Sequence, residues 1–174
     1  MATGNTLFDI TPAQFFPENN IAAQGEPGLM YNGLARGVAY PGGVSSGAVC
    51  IKRLPATASL STGATVVLLI SDDPNNTLAG KSVVLGVSFA AMGTAGNYYA
   101  PTTTGLGTEA TATVIMPPTA GQTLSVSIAV LVANMPGLAA STFGMLRVRR
   151  LGANASDTGG TGVMLLLAAS VFDT

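Results

Sequence analysis

The stretch FGMLRVRRLGANASDTGGTGVMLLLAASVF, Phe143 to Phe172, decides the fold. It reads as two strands joined by a polar, glycine-rich connection. In FGMLRVRRL (Phe143–Leu151) side chains alternate, so Leu146 and Val148 share one face and Arg147 and Arg149 the other. The second run, VMLLLAASVF (Val163–Phe172), is apolar on both faces. Such a strand has to be covered on both sides, by its own fold or by a neighbouring subunit.

Outward from this pair, the same two-residue period recurs. A short strand is expected over Leu34 to Tyr40. In AVCIKRL (Ala48–Leu54) Val49 and Ile51 point one way, and Cys50 and Lys52 point the other, which is read as outward. TVVLLIS (Thr65–Ser71) places Val66, Leu68 and Ile70 together, and Ser82 to Ala90 does so with Val83, Leu85, Val87 and Phe89. EATATVIM (Glu109–Met116) turns Thr111 and Thr113 outward, and Leu124 to Ala133 sets Ser125 and Ser127 opposite Val126 and Ile128. Turn chemistry fills the gaps: Ser61-Thr62-Gly63, Asp72 to Asn76, Gly93 to Gly96, Pro117-Pro118, Pro136-Gly137 and Gly159-Gly160. No stretch keeps a helical apolar period for twelve positions. About eight strands in this order predict a single antiparallel β-sandwich of jelly-roll type over residues 34–174. An immunoglobulin-like sandwich is the runner-up, without a Trp or a cysteine pair to support it.

Residues 1–33 read as an extended N-terminal arm, since Pro12, Pro17, Pro27 and the small residues of IAAQGEPG (Ile21–Gly28) interrupt any long element. Phe8, Ile10, Phe15, Phe16 and Ile21 are spaced for an extended chain to drop side chains into pockets on another surface. The plainer alternative is a frayed terminus.

Composition narrows the function. Charged residues are 9% of the chain, against roughly 25% in an average globular protein. A surface so poor in charge suits a protein that spends its life in an assembly. A net charge of −1 gives no footprint for nucleic acid or anionic lipid. The chain has one cysteine, Cys50, so no internal disulfide is possible, and it is expected to stay a free thiol. The opening MATGNTLFDITPAQFF lacks the basic and apolar regions of a signal peptide. From Ala110 to Leu146 no residue is charged, yet Pro117-Pro118, Gly121-Gln122 and Asn134 to Gly137 break the run short of a membrane span.

Catalysis has little to work with. The chain has no His, which removes Ser-His-Asp and Cys-His mechanisms and the commonest general base. No catalytic residue, cofactor or metal site is expected. Asp72 and Asp73 with Asn75 and Asn76 could form an oxygen-ligand loop for Ca²⁺, but a hydrogen-bonded Asx turn accounts for the same residues. Tyr98 and Tyr99 sit in a loop where they either pack locally or touch sugar or protein. Arg147 and Arg149, about 7 Å apart on one strand face, suit a solvated face or ion pairs to carboxylates of a partner subunit or, less well, phosphate.

Two segments, GAVCIKRLP (Gly47–Pro55) and LRVRRLGANASDTGGTGVMLLLAASV (Leu146–Val171), resemble a family of small proteins of tailed bacteriophages and prophages. That family carries a SAVFEGVLP-like segment near the front and an LRVRRDAxNAADTMTGDAxLLxVEI-like segment near the end. VVLGVSFAAM (Val83–Met92) is similar to its V-W-x-V-x-F-E-R strand. The resemblance covers about residues 34–172. It implies a jelly-roll domain that assembles as a homotrimer and serves as a capsid decoration (cement) protein, bound to the major capsid protein on the outer surface of the virion and made in the host cytoplasm. On this reading the partners are the capsid lattice and the chain itself, with neither nucleic acid nor membrane. The arm residues Phe8, Ile10, Phe15, Phe16 and Ile21 would meet the capsid, and Arg147, Arg149, Leu165, Leu167 and Val171 would form the subunit interface. Arg147, Arg149 and Arg150 match the family's basic strand; Asn154, Ala155, Asp157, Thr158, Thr161 and Gly162 match its loop. Val163 stands where the family has an acid, and LLLAASV has lost the family's acidic ending, which points to a more deeply buried last strand. The alternative function is a tail-fibre or spike module that binds host glycans through loops such as 94–104.

Overall fold

The computed structural model describes residues 4–17, 28–32, 35–73, 75, 77–92, 106–119 and 121–174. Among these residues eleven strands are present: β1 (Thr6–Ile10), β2 (Phe16–Pro17), β3 (Gly28–Asn32), β4 (Ala35–Tyr40), β5 (Ser45–Arg53), β6 (Ala64–Asp72), β7 (Ser82–Met92), β8 (Ala110–Ile115), β9 (Thr123–Val130), β10 (Phe143–Leu151) and β11 (Met164–Asp173). Single 3-10 turns lie at Pro12–Gln14 and Val132–Asn134. All strand pairs are antiparallel, in two sheets. One runs β3-β4-β11-β6-β9 with β1 also on β11, and the other runs β2-β5-β10-β7-β8. The chain is a jelly-roll β-sandwich.

The two strands of the deciding stretch sit at the centre of opposite sheets. β10 is flanked by β5 and β7 in unbroken register, Leu146 opposite Cys50 on one side and Phe89 on the other. β11 is flanked by β6 and, in succession, by β4 and β1. A shift of register between Leu166 and Ala168 makes Leu167 the extra residue of a bulge. The position explains the composition of β11. Met164, Leu165 and Leu166 are fully buried, and Ala169 and Val171 nearly so, as a central strand apolar on both faces requires.

The core lies between the sheets. Leu68, Ile70, Leu85, Val87, Phe89, Val126, Ile128, Val130, Leu146 and Val148 are all buried there, as alternation in their strands predicts. Tyr40 crosses this core and its hydroxyl donates to the carbonyl of Val148, 3.3 Å away.

Two expectations are corrected here. The described parts of the first thirty-three residues, 4–17 and 28–32, do not stand apart as an arm. β1 is hydrogen-bonded to β11, β2 to β5 and β3 to β4, so both sheets draw on the segment. Leu7, Ile10 and Phe15 belong to the core. Pro12 lies in the 3-10 turn after β1 and Pro17 ends β2, where the missing N–H costs little. The second correction concerns Cys50, which faces the core rather than outward. Alternation separated Cys50 from Val49 correctly but did not say which of the two faces is inward.

Candidate functional site

The surface is defined first by where its few charges go. Asp72, Asp73, Arg147, Arg150 and Asp173 are buried, and Arg149, Glu109 and Asp157 join ion pairs with low exposure. Outside those clusters, the charged side chains that reach solvent among those whose side chains are described are Asp9, Lys52, Arg53 and Lys81. The described exterior of the sandwich is therefore largely Ser, Thr, Ala and apolar side chains.

The strongest cluster joins β10 to the loop that follows it. Alternation that sends Leu146 and Val148 inward also sends Arg150 inward, and its side chain is fully enclosed. Arg150 Nη2 and Nε donate to Asp157 Oδ1 and Oδ2 at 2.8 and 3.0 Å, and Nη1 donates to the carbonyl of Gly162. Asp157 accepts further from the amides of Val84 and Gly159. Burial pushes the Asp157 carboxyl up, but the Arg150 guanidinium and these amides together hold it below its ordinary value. A Cβ at Gly159 would lie 2.2 Å from Arg150 Nη2, so only glycine lets the loop close over the guanidinium. The motif residues Arg150, Asp157 and Gly162 are thus parts of one clamp holding residues 152–162 against the end of the sandwich.

A second cluster lies on the outer face of the β10 sheet. Arg147 Nε donates to Ser88 Oγ at 3.0 Å. Glu109 spans both arginines, with Oε1 3.4 Å from Arg147 Nη2 and Oε2 3.5 Å from Arg149 Nη1. Its side chain crosses Gly86, where a Cβ would meet Glu109 Cδ at 2.6 Å. Arg147 is buried. The pairing partner expected on another subunit is supplied by Glu109 of the same chain.

The carboxylates of the acidic turn after β6 accept hydrogen bonds from groups of the turn itself. Asp72 accepts from the amides of Asp73 and Leu78, each at 2.8 Å, while Asp73 Oδ1 accepts from the amide and hydroxyl of Thr77. Burial raises the Asp72 pKa above its ordinary value, against the amides of Leu78 and Asp73, with the Asp73 charge adding to the rise. Both carboxylates act as caps of the turn, the Asx alternative drawn from the sequence. Among the described residues no three metal-ligating side chains come together. No helix among them is long and apolar enough to cross a membrane. Burial also raises the Cys50 thiol pKa, with Lys52 opposing.

The expected contact residues separate into distinct groups. Ile10 and Phe15 are buried in the chain's own core and Phe8 packs against it, while Phe16 stays 61% exposed. Ile21 lies outside the described residues, as do Tyr98 and Tyr99 and all of 94–104. Leu165 and Val171 are enclosed within the chain, so neither reaches a subunit interface, whereas Leu167 at the bulge and Arg149 keep partial exposure. The structure therefore does not gather the proposed capsid and interface residues into one patch. It does expose large apolar side chains that were not singled out: Ile115, Leu131, Val132 and Phe143. The signal for all four was present, since they fall inside the uncharged run from Ala110 to Leu146.

No protein-family model matches the sequence, and no curated protein matches it. Among solved structures the chain is similar to the xylan-binding module CBM15, with 10% identity, 98% of each chain covered and a TM-score of 0.58. It is also similar to a family 11 carbohydrate-binding module from Clostridium thermocellum in complex with a β-1,3-1,4-mixed-linked tetrasaccharide. That match has 10% identity, covers 99% of this chain and 98% of the other, and has a TM-score of 0.53. Both are binding modules on a full-length match. At this identity they establish the β-sandwich fold.

Proposed function

We propose that the chain is a non-enzymatic structural protein of a tailed-phage particle, a decoration protein that self-associates, as a trimer on the resemblance, and binds the major capsid protein lattice. The observation that carries this reading is the charge-poor exterior. The buried charges are consumed in holding the chain together, and among the side chains described the surface left over carries Asp9, Lys52, Arg53 and Lys81. Such a surface gains little from remaining in water and loses little by being covered, which suits permanent assembly. The matched strand and loop segments point to the head of a phage particle as the assembly. Fixed in place by the Arg150–Asp157 clamp, the loop offers a rigid contact surface, and Phe16 offers an exposed aromatic at the sheet margin.

The deciding experiment incubates the full chain with undecorated heads and measures co-sedimentation, alongside copy number in purified virions. Saturable binding and hundreds of copies per particle are expected. Heads that pellet without the protein, or a handful of copies per particle, overturn the reading. The second outcome favours a tail-fibre or spike module, a role for which the carbohydrate-binding modules of the same fold are a precedent.

A further inference from the structure

We infer that residues 152–162 form a lid that opens and closes as one unit over the enclosed Arg150 while both sheets stay intact, and that residues 77–82 are the seat it closes on. The lid joins β10 to β11 and consists of Ala, Asn, Ser, Asp, Thr and four glycines. It has no large apolar side chain to anchor it in the core between the sheets. Its own turns are local, with backbone bonds from Asn154 to Leu151, Asp157 to Asn154 and Gly162 to Gly159. Its fastenings to the sandwich are hydrogen bonds, one ion pair and close approaches of bare backbone.

Three fastenings lie along the start of β7, beyond the point where β10 stops pairing with it at Arg150 and Leu85. The Thr158 amide donates to the Ser82 carbonyl, the Ser82 amide donates to Thr158 Oγ at 2.9 Å, and the Val84 amide donates to Asp157 Oδ2 at 3.2 Å. The lid thus takes over from β10 as the neighbour of β7. Next to it, the Val163 amide donates to Thr77 Oγ at 3.3 Å. Leu78 is fully buried, and a Cβ at Gly159 or Gly162 would lie 2.6 or 2.7 Å from its Cδ2, so the lid rests its backbone on that side chain. The seat itself belongs to the body. Asp72 accepts from the Leu78 amide at 2.8 Å, and Gly80 and Lys81 share backbone bonds with Met116. Segments with few buried apolar contacts open ahead of the structure around them, and glycine-rich backbone gains the most freedom in doing so. The ion pair acts in the same sense, because hydration of both ions offsets much of the contact that Arg150 and Asp157 lose when water enters. β10 and β11, apolar and flanked on both sides, have no such offset.

The test is native-state hydrogen exchange, read by NMR, on the full chain and on Leu78→Ala and Thr77→Val. In the wild type the amides of Ser82, Val84 and Thr158 are expected to share one opening free energy, below that of the amides of β10. Ser82 and Val84 are the decisive pair, since they belong to β7 yet donate to side chains of the lid. Leu78→Ala removes the seat and is expected to speed exchange at the three amides by at least about tenfold, and by more than it speeds exchange in β10. Thr77→Val, at an exposed position, takes away the hydroxyl that meets Val163 and is expected to speed the same amides about threefold with β10 unchanged. Three amides that exchange as slowly as β10 would mean that the loop opens only with the whole domain, which overturns the inference. Three unrelated rates would show that it does not move as a unit, with the same consequence. Unchanged exchange in Thr77→Val overturns the role of the seat, and this variant decides the matter even where Leu78→Ala does not fold.

Discussion

Arg150 and Asp157 form a bidentate ion pair, 2.8 Å at its shorter contact, with both side chains fully enclosed. The pair connects a central strand to the loop behind it; Nη1 of Arg150 also donates to the loop carbonyl of Gly162, and the Asp157 oxygens accept from the amides of Gly159 in that loop and Val84 in β7. A buried charge that loses its partner costs far more than the pair contributes on balance, so the relationship is best tested one side at a time.

Arg150→Met is expected to destabilise the fold by about 3–5 kcal/mol, because Asp157 is then left buried without its cation. Urea unfolding followed by circular dichroism measures it. The double variant Arg150→Met with Asp157→Leu is expected to recover much of the loss, and a double variant no better than the single would mean that packing rather than charge dominates.

The same pair sets a pH response. Asp157 has its pKa lowered in the folded chain, on balance of burial against Arg150 and the amides. A depressed carboxyl contributes stability above its unfolded value of about 3.9 and loses it as pH falls through the folded value. The wild type should therefore lose stability on acidification below about pH 4, and Asp157→Asn, weaker throughout, should show a shallower fall. Asp72 works in the opposite direction. Its raised pKa means that protonation favours the fold, so stability from this group grows as pH falls toward the acid range and declines as pH rises through the raised value. Thermal melts across the acid range, compared between wild type and the Asp157 variant, isolate the Asp157 contribution.

The N-terminal segment should behave as core. Ile10→Ala is expected to cost about 2–5 kcal/mol and Phe15→Ala about 3–5 kcal/mol, whereas Phe16→Ala, at an exposed site, should stay within about 0.5 kcal/mol. Equal small effects at all three positions would restore the picture of a detachable arm. Deleting residues 1–17 should unfold the domain or lower its melting temperature sharply, since β11 would lose β1 and β5 would lose β2.

Cys50 offers an independent report on the core. It is a free thiol, buried between the sheets, with its pKa raised by that burial. A thiol reagent should react slowly with the native protein and rapidly in urea, because the reactive thiolate is scarce and enclosed. Fast reaction in native buffer would put Cys50 on the surface.

What the sequence determined by itself was local and periodic. Two-residue alternation identified the strands later found as β4 to β11, and turn residues marked their ends. Leu68, Ile128 and Val148 were legible as core because each repeats along one strand face. The absence of His removed whole classes of catalysis, and the uncharged run from Ala110 to Leu146 was visible as composition. What only the tertiary structure decided was long-range. The segment holding Ile10 and Phe15 is too short and proline-broken to declare its strands, and it becomes β-structure because β11 and β5 present edges to it. Cys50 and Val49 differ by one position on one strand, and the side that faces the core is fixed by which sheet packs against it. Arg150 follows the inward phase of Leu146 and Val148, yet a buried guanidinium becomes tolerable only when Asp157 folds back across seven residues of loop to meet it. Alternation reports that two faces differ; the partner that covers a face, or neutralises a charge within it, is set by contacts distant in the chain.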